Sequence, residues 1–285
     1  MGLYPAAKVR RSMKAAPFQP GRRWWLRPDA WLLLSAALPL LALLVVPLAA
    51  LVLRLTPTML VGAFGDSATV QAVALSLATS TATVLLVLVL GTPLAVLLAR
   101  RQFRGRAVVD VLIDLPTVLP PAVAGVALLL VLGRRGVLGQ WLQEMGIEIA
   151  FTPLAVVIAQ TFVAAPYYIK AASVGLASVN GSLLEAAALD GASPLQSFFR
   201  VSLPLAWRGI VTGAALCWSR ALGEFGATVI FAGNYPGRTQ TMPLAVYIGF
   251  EIDLAQALAL AAILLALSFG LLLLIRTTMQ KAGAA

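Results

Sequence analysis

Six long apolar stretches dominate the chain, at roughly Trp31 to Leu53, Ala72 to Ala99, Leu115 to Leu132, Pro153 to Ala172, Gly209 to Phe231 and Ala257 to Ile275. A membrane span takes about 20 apolar residues at about 1.5 Å of rise each, and every stretch is near or above that length. Lipid offers no hydrogen-bond partners, so a backbone inside it must close its bonds within helices or a closed barrel. Runs of this length select helices. The expected fold class is all-α, a polytopic membrane protein with six transmembrane helices. Composition agrees, with 60% of the 285 residues hydrophobic and 11% charged, against about 45–50% and about 25% in soluble domains. Too little chain lies outside the stretches for a nucleotide-binding domain of about 100–200 residues.

The basic residues assign the sides. Lys8, Arg10, Arg11, Lys14, Arg22, Arg23 and Arg27 precede the first stretch. Arg100, Arg101, Arg104 and Arg106 follow the second, Arg200 and Arg208 the fourth, and Arg276 and Lys281 the sixth. With six spans all of these share one side, and only Arg54, Arg134, Arg135 and Arg238 fall on the other. Basic loops stay cytoplasmic, so both termini are expected there. This distribution ties the net charge of +10 to topology and anionic lipid, not to nucleic acid. The organisation that follows is a basic tail over residues 1–30, a transmembrane domain over 31–275 with a cytoplasmic loop at 173–208, and a tail over 276–285. The first stretch exceeds the about 7–15 apolar residues of a signal core, and is expected to stay as a span with Trp24, Trp25 and Trp31 as interfacial anchors.

Histidine is absent and Cys217 is the single cysteine. That removes disulfides, Cys/His zinc sites and His-assisted nucleophiles; Cys217 reads as a small buried hydrophobe. No phosphate-binding Gly-rich loop ending in Lys-Ser or Lys-Thr occurs, so the chain is not expected to hydrolyse ATP or to need a cofactor. Pro116, Pro120, Pro121 and Gly125 cluster at the start of the third stretch, while Gly91 and Pro93 interrupt the second. A proline frees a carbonyl that must find a partner inside the protein, so these segments should face other helices or a polar cavity. For Pro116, a helix simply beginning at the interface fits equally well.

Helix punctuation crowds the loop from Ser173 to Arg208. Asn180-Gly181 is a turn signal. Ser182 with Glu185 has capping-box spacing, and Gly191 sits where a left-handed residue would end the helix running to Leu189. Ser193, Pro194 and Gln196 start a second helix, expected to pass Phe198 and Phe199 and stop before Pro204. Leu183, Leu184, Leu189, Leu195, Phe198 and Phe199 are many apolar side chains for two short extramembrane helices. They either pack beneath the spans or fill a groove on a soluble partner, and opposite faces allow both.

Here the chain resembles a known family. Glu185-Ala186-Ala187, then Gly191, then Val201-Ser202-Leu203-Pro204 is similar to the EAA loop in permease subunits of binding-protein-dependent ABC importers, with Val201 where isoleucine is commoner. The resemblance implies that this loop docks into a cleft of a cytoplasmic ATPase subunit, with Glu185, Ala186, Ala187, Leu189, Gly191, Phe198 and Pro204 at the contact. Two alanines allow close approach, and Gly191 permits a sharp turn.

The fifth stretch holds Arg220 and Glu224, read as an i,i+4 pair about 16–23 Å above a helix start at Gly209. Ionisable groups at that depth usually face a bundle interior or a cavity. The pair is either a self-neutralising structural bridge or part of the permeation path, with Arg220 offering donors to an oxyanion. The segment from Arg220 through Gly223, Glu224, Phe225 and Gly226 to Thr228, with Pro236-Gly237-Arg238-Thr239-Gln240-Thr241, looks like the molybdate branch of that family; Asp114 to Gly125 fits it too. Arg220, Glu224 and Thr228 are the pathway or gate candidates. The exterior polar residues Asn234, Arg238, Thr239, Gln240 and Thr241 either line the entrance or form a solvated loop. The resemblance implies a bacterial inner-membrane homodimer working with an ABC ATPase and a periplasmic or lipid-anchored molybdate-binding protein. Sulfate, thiosulfate or tungstate are the alternative cargoes, and an ion-coupled secondary transporter is the alternative class.

Overall fold

In the computed structural model, which describes the backbone of residues 28–284 and the side chains of 31–278, only helices, turns and coil occur among the described residues. The expected N-terminal basic cluster, Trp24 and Trp25 lie outside them, as does the Lys281 side chain. The helices are α1 (Pro28–Leu53), α2 (Pro57–Gly65), α3 (Ser67–Arg100), α4 (Arg106–Val118), α5 (Pro121–Leu132), α6 (Gly139–Glu144), α7 (Pro153–Ala177), α8 (Gly181–Leu189), α9 (Pro194–Ser197), α10 (Leu203–Leu222), α11 (Gly226–Phe231), α12 (Met242–Ile252) and α13 (Leu254–Ala284). Five helical segments are long and apolar enough to cross a membrane: α1, α3, α7, α9 with α10, and α13. A sixth span exists if α4 and α5, bent by 114° at their junction, count as one.

The α1 helix belongs to a unit of its own, Met1–Arg54. Nearly all of its large side chains from Trp31 to Leu53 are exposed and apolar all round, the pattern of a helix whose solvent is lipid.

The second unit is Leu55–Ala285. Its centre is α7, packed against α3, α4, α5, α10 and α11. Small side chains make the close packing possible: Ala95 of α3, Ala164 and Ala172 of α7, and Ala206, Cys217 and Ala221 of α10 are buried together around Tyr168 and Leu176. In lipid, helices associate through such close contact, since burial of apolar surface supplies little drive. Gly175 and Gly209 mark the tightest approach, where a β-carbon on Gly209 would fall 2.7 Å from the Gly175 Cα. Gly209→Val is therefore expected to destabilise the domain by about 1–3 kcal/mol through overpacking, checked by thermal unfolding of the purified complex.

Three expected spans differ from a straight helix-by-helix reading. The second is not interrupted: α3 runs unbroken through Gly91 and Pro93. Gly91 instead makes room for Tyr168, whose ring would sit 3.1 Å from an added β-carbon, and the adjacent Thr92 hydroxyl bonds to the Leu88 carbonyl at 2.6 Å. The third span does not begin at Leu115 as a single rod. Pro116 lies inside α4, and the chain breaks at Leu119 and Pro120, both extended. A residue preceding proline is pushed out of the helical region, and two consecutive prolines do this twice. The fifth span is broken as well, at Gly223 to Phe225, and begins earlier than Gly209.

Candidate functional site: a helical loop and two facing helix breaks

The loop after α7 is two short helices joined by a tight turn. The Asn180 side chain, not Ser182, caps α8 by accepting the Ser182 N–H at 3.1 Å. The predicted Ser182–Glu185 capping box is therefore replaced by a cap two residues earlier, which leaves Glu185 exposed. At the other end Gly191 has φ +84°. The Ala192 N–H reaches the Ala187 carbonyl at 2.9 Å and the Gly191 N–H reaches that of Ala188 at 3.0 Å, the paired bonds of a Schellman turn. The capping box predicted for the next helix is present. Gln196 N–H donates to Ser193 Oγ at 3.3 Å while Gln196 Oε1 accepts the Ser193 N–H at 2.9 Å.

The second helix does not stop before Pro204. It passes through a π turn, Phe198–Ser202, straight into α10. Pro204 follows directly on the π turn, in which the Leu203 N–H bonds the Phe198 carbonyl. This continuity makes α9 and the transmembrane α10 one lever. The Ser202 hydroxyl in the π turn accepts from Arg100 Nη2 at 2.7 Å, which ties the lever to the end of α3.

The loop's apolar side chains divide by face. Phe198 packs onto the main core; with Leu184 it also lines a cleft of about 380 Å³ beside Arg100 and Arg101. Leu189, Leu195 and Phe199 point outward and are 89%, 67% and 56% exposed. Ala186 is exposed and Ala187 half-buried. Burying a large apolar side chain on a partner gains about 1.5–3 kcal/mol.

The other feature lies where α4–α5 and α10–α11 are broken. A β-carbon on Gly226 would come 2.8 Å from Pro121 Cβ, and one on Gly125 2.8 Å from the Ala227 carbonyl oxygen. The two breaks therefore face each other across α5 and α11. Glu224 is not on a helix with Arg220, as an i,i+4 reading of one continuous span implies. It occupies the break itself. The ion pair forms all the same, Arg220 Nη1 to Glu224 Oε2 at 2.6 Å, with the glutamate side chain 1% and the arginine 26% exposed. The second Glu224 oxygen accepts the Ala227 N–H at 2.8 Å, closing the start of α11. Thr228 is fully buried, and its Oγ1 has no hydrogen-bond partner among the described residues. One carboxylate thus holds both the broken backbone and a guanidinium, which has five N–H donors. Discontinuous helices with ionisable groups at their breaks are the form that binding sites take inside transporters.

Gly223 and Gly226 flank Glu224 at the break of the fifth span, which the sequence does not announce, since glycines also occur in straight helices. The polar segment from Asn234 to Thr241 divides: Thr239, Gln240 and Thr241 are buried, while Tyr235 and Arg238 are exposed. The Tyr235 carbonyl collects the N–H groups of Arg238, Thr239 and Gln240 at 2.9–3.1 Å.

The family described as "Binding-protein-dependent transport system inner membrane component" matches residues 91–281. The probable transport system permease protein NifC of Clostridium pasteurianum is 38% identical over 217 residues, covering 75% of this chain and 76% of its own. The molybdenum transport system permease protein ModB of Mycobacterium tuberculosis is 45% identical over 196 residues, 68% of this chain and 73% of its own. Among solved structures, a bacterial ABC transporter involved in the import of the acidic polysaccharide alginate superposes with a TM-score of 0.71, covering 91% of this chain and 99% of that one at 17% identity. That likeness shows the fold.

Proposed function

Because this chain belongs to the binding-protein-dependent transport inner-membrane components, we propose that it is the molybdate permease subunit of an ATP-driven importer. The observation that carries the mechanism is the loop: a rigidly capped pair of helices, apolar side chains outward, continuous with a membrane helix. Such a lever transmits a push from a soluble partner to the broken helix above it. The similarity to molybdenum permeases supports the cargo.

The permease itself hydrolyses nothing; ATP hydrolysis belongs to a partner subunit, docked on Glu185, Ala186, Ala187, Leu189 and the Gly191 turn. Two copies of the chain form the pathway at their shared axis, and a substrate-binding protein delivers the anion from outside. Both termini lie in the cytoplasm, on the side that carries most of the basic residues. Transport alternates between two helix packings, biased by the ATPase below and the binding protein above. Arg220, steadied by Glu224 and with Thr228 beside it, meets the oxyanion at the paired helix breaks.

The test is uptake of labelled molybdate at trace concentration with excess sulfate, in cells lacking this chain and in complemented cells. Loss of uptake, restored by complementation and unaffected by sulfate, is the expected result. Intact molybdate uptake beside defective sulfate uptake would move the chain to the sulfate branch and keep the mechanism.

A further inference from the structure

A second charged cluster lies away from the facing breaks. Lys170 of α7 reaches Asp114 Oδ2 at 3.0 Å and Asp110 Oδ1 at 3.2 Å, both on α4, and Arg106 stands 3.8 Å from Asp110. Arg106, Asp110 and Asp114 follow at four-residue intervals, so they form one stripe along α4. Val108, Val111, Leu112, Leu115 and Val118 form the opposite stripe and are exposed. The α4 helix thus turns its apolar face one way and its charges towards α7.

Lys170 is seven residues short of Ala177, the end of α7, about 10 Å inside that end along the helix axis. Its ammonium is held sideways by two aspartates of α4. Yet the side chains remain open: Lys170 is 39% exposed, Asp110 37% and Asp114 51%. Charged side chains of membrane helices that pair with one another and stay partly open face the bundle interior or a water-filled cavity.

We propose that Lys170 is an oxyanion-contacting residue in the cytoplasmic half of the pathway, with Asp110 and Asp114 as its positioning and counter-charge groups. The inference rests on the transport reading above and adds a second cationic station below Arg220. An ammonium has three donors, and the aspartates take two; the third meets an oxygen of the passing anion. The two lysine and arginine charges are matched by two carboxylates, so the station is neutral overall. A neutral station draws the anion to the ammonium without trapping it, as release requires.

The experiment uses the assembled permease–ATPase complex in proteoliposomes, with binding protein and labelled molybdate. Lys170→Met leaves two carboxylates facing the route and is expected to lower uptake at least tenfold, with Lys170→Arg within about twofold of the wild type. Lys170→Cys supplies a test independent of folding losses: a thiol reagent carrying a primary ammonium should restore uptake several-fold, and one carrying a sulfonate should not. Failure of either reagent to reach Cys at this position, equal effects of both, or a fully active Lys170→Met variant beside an active wild type would overturn the role of Lys170. A wild-type complex that carries neither molybdate nor sulfate would overturn the transport reading itself.

Discussion

Gly191→Val is expected to cut ATP-coupled uptake by about tenfold or more while normal amounts of the chain reach the membrane. At φ +84° a β-branched residue is strained by the backbone alone, since a β-carbon there meets nothing within 4 Å. The strain is of order 1–3 kcal/mol, enough to favour another turn and move α8 off its setting. About 1.4 kcal/mol shifts a two-state coupling equilibrium tenfold. Gly191→Asn, which tolerates the left-handed region, should retain most uptake. The check is uptake together with ATPase stimulation by loaded binding protein. Wild-type coupling in the valine variant would remove the Gly191 turn from the docking mechanism.

Breaking the ion pair at the helix breaks should have the largest effect on stability. Removing one member of a buried pair typically costs about 3–5 kcal/mol. Glu224→Ala is placed at the upper end because the same carboxylate also holds the Ala227 N–H. Arg220→Gln with Glu224→Gln leaves no unpaired charge, and an amide oxygen at 224 can still accept from Ala227. The double variant should therefore recover most of the stability lost by either single charge removal. Uptake should stay at least tenfold below the wild type, because the guanidinium that meets the anion is gone. Thermal unfolding and uptake measured on the same preparations separate the two roles. If uptake recovers along with stability, the pair is structural.

The parts of this architecture that local chemistry dictates were readable in the sequence. Apolar length announced the long helices, because lipid leaves the backbone no alternative. Gly191 and the Ser193–Gln196 box announced the loop turn and the second helix start, because each places a specific donor on a specific acceptor. Competition between neighbours was not readable. Asn180 won the α8 cap from Ser182, and α9 flowed into α10 because a π turn absorbs the register between them. The breaks follow the same logic. Pro120 and Pro121 gave warning of theirs, but Gly223 and Gly226 are tolerated in many straight helices. Their break became visible only through the packing of α11 on α5. The Lys170 cluster depends on α4 starting at Arg106 and turning its charged stripe to α7, a tertiary relation with no local signature.

The most direct test of the central claim is accumulation of labelled molybdate by the complex reconstituted with its ATPase and binding protein, with and without ATP and with a protonophore present. The account predicts accumulation that requires ATP, ignores collapse of the proton gradient, and disappears when the ATPase is left out. Accumulation that persists without ATP and collapses with the gradient would contradict it and make the chain an ion-coupled transporter.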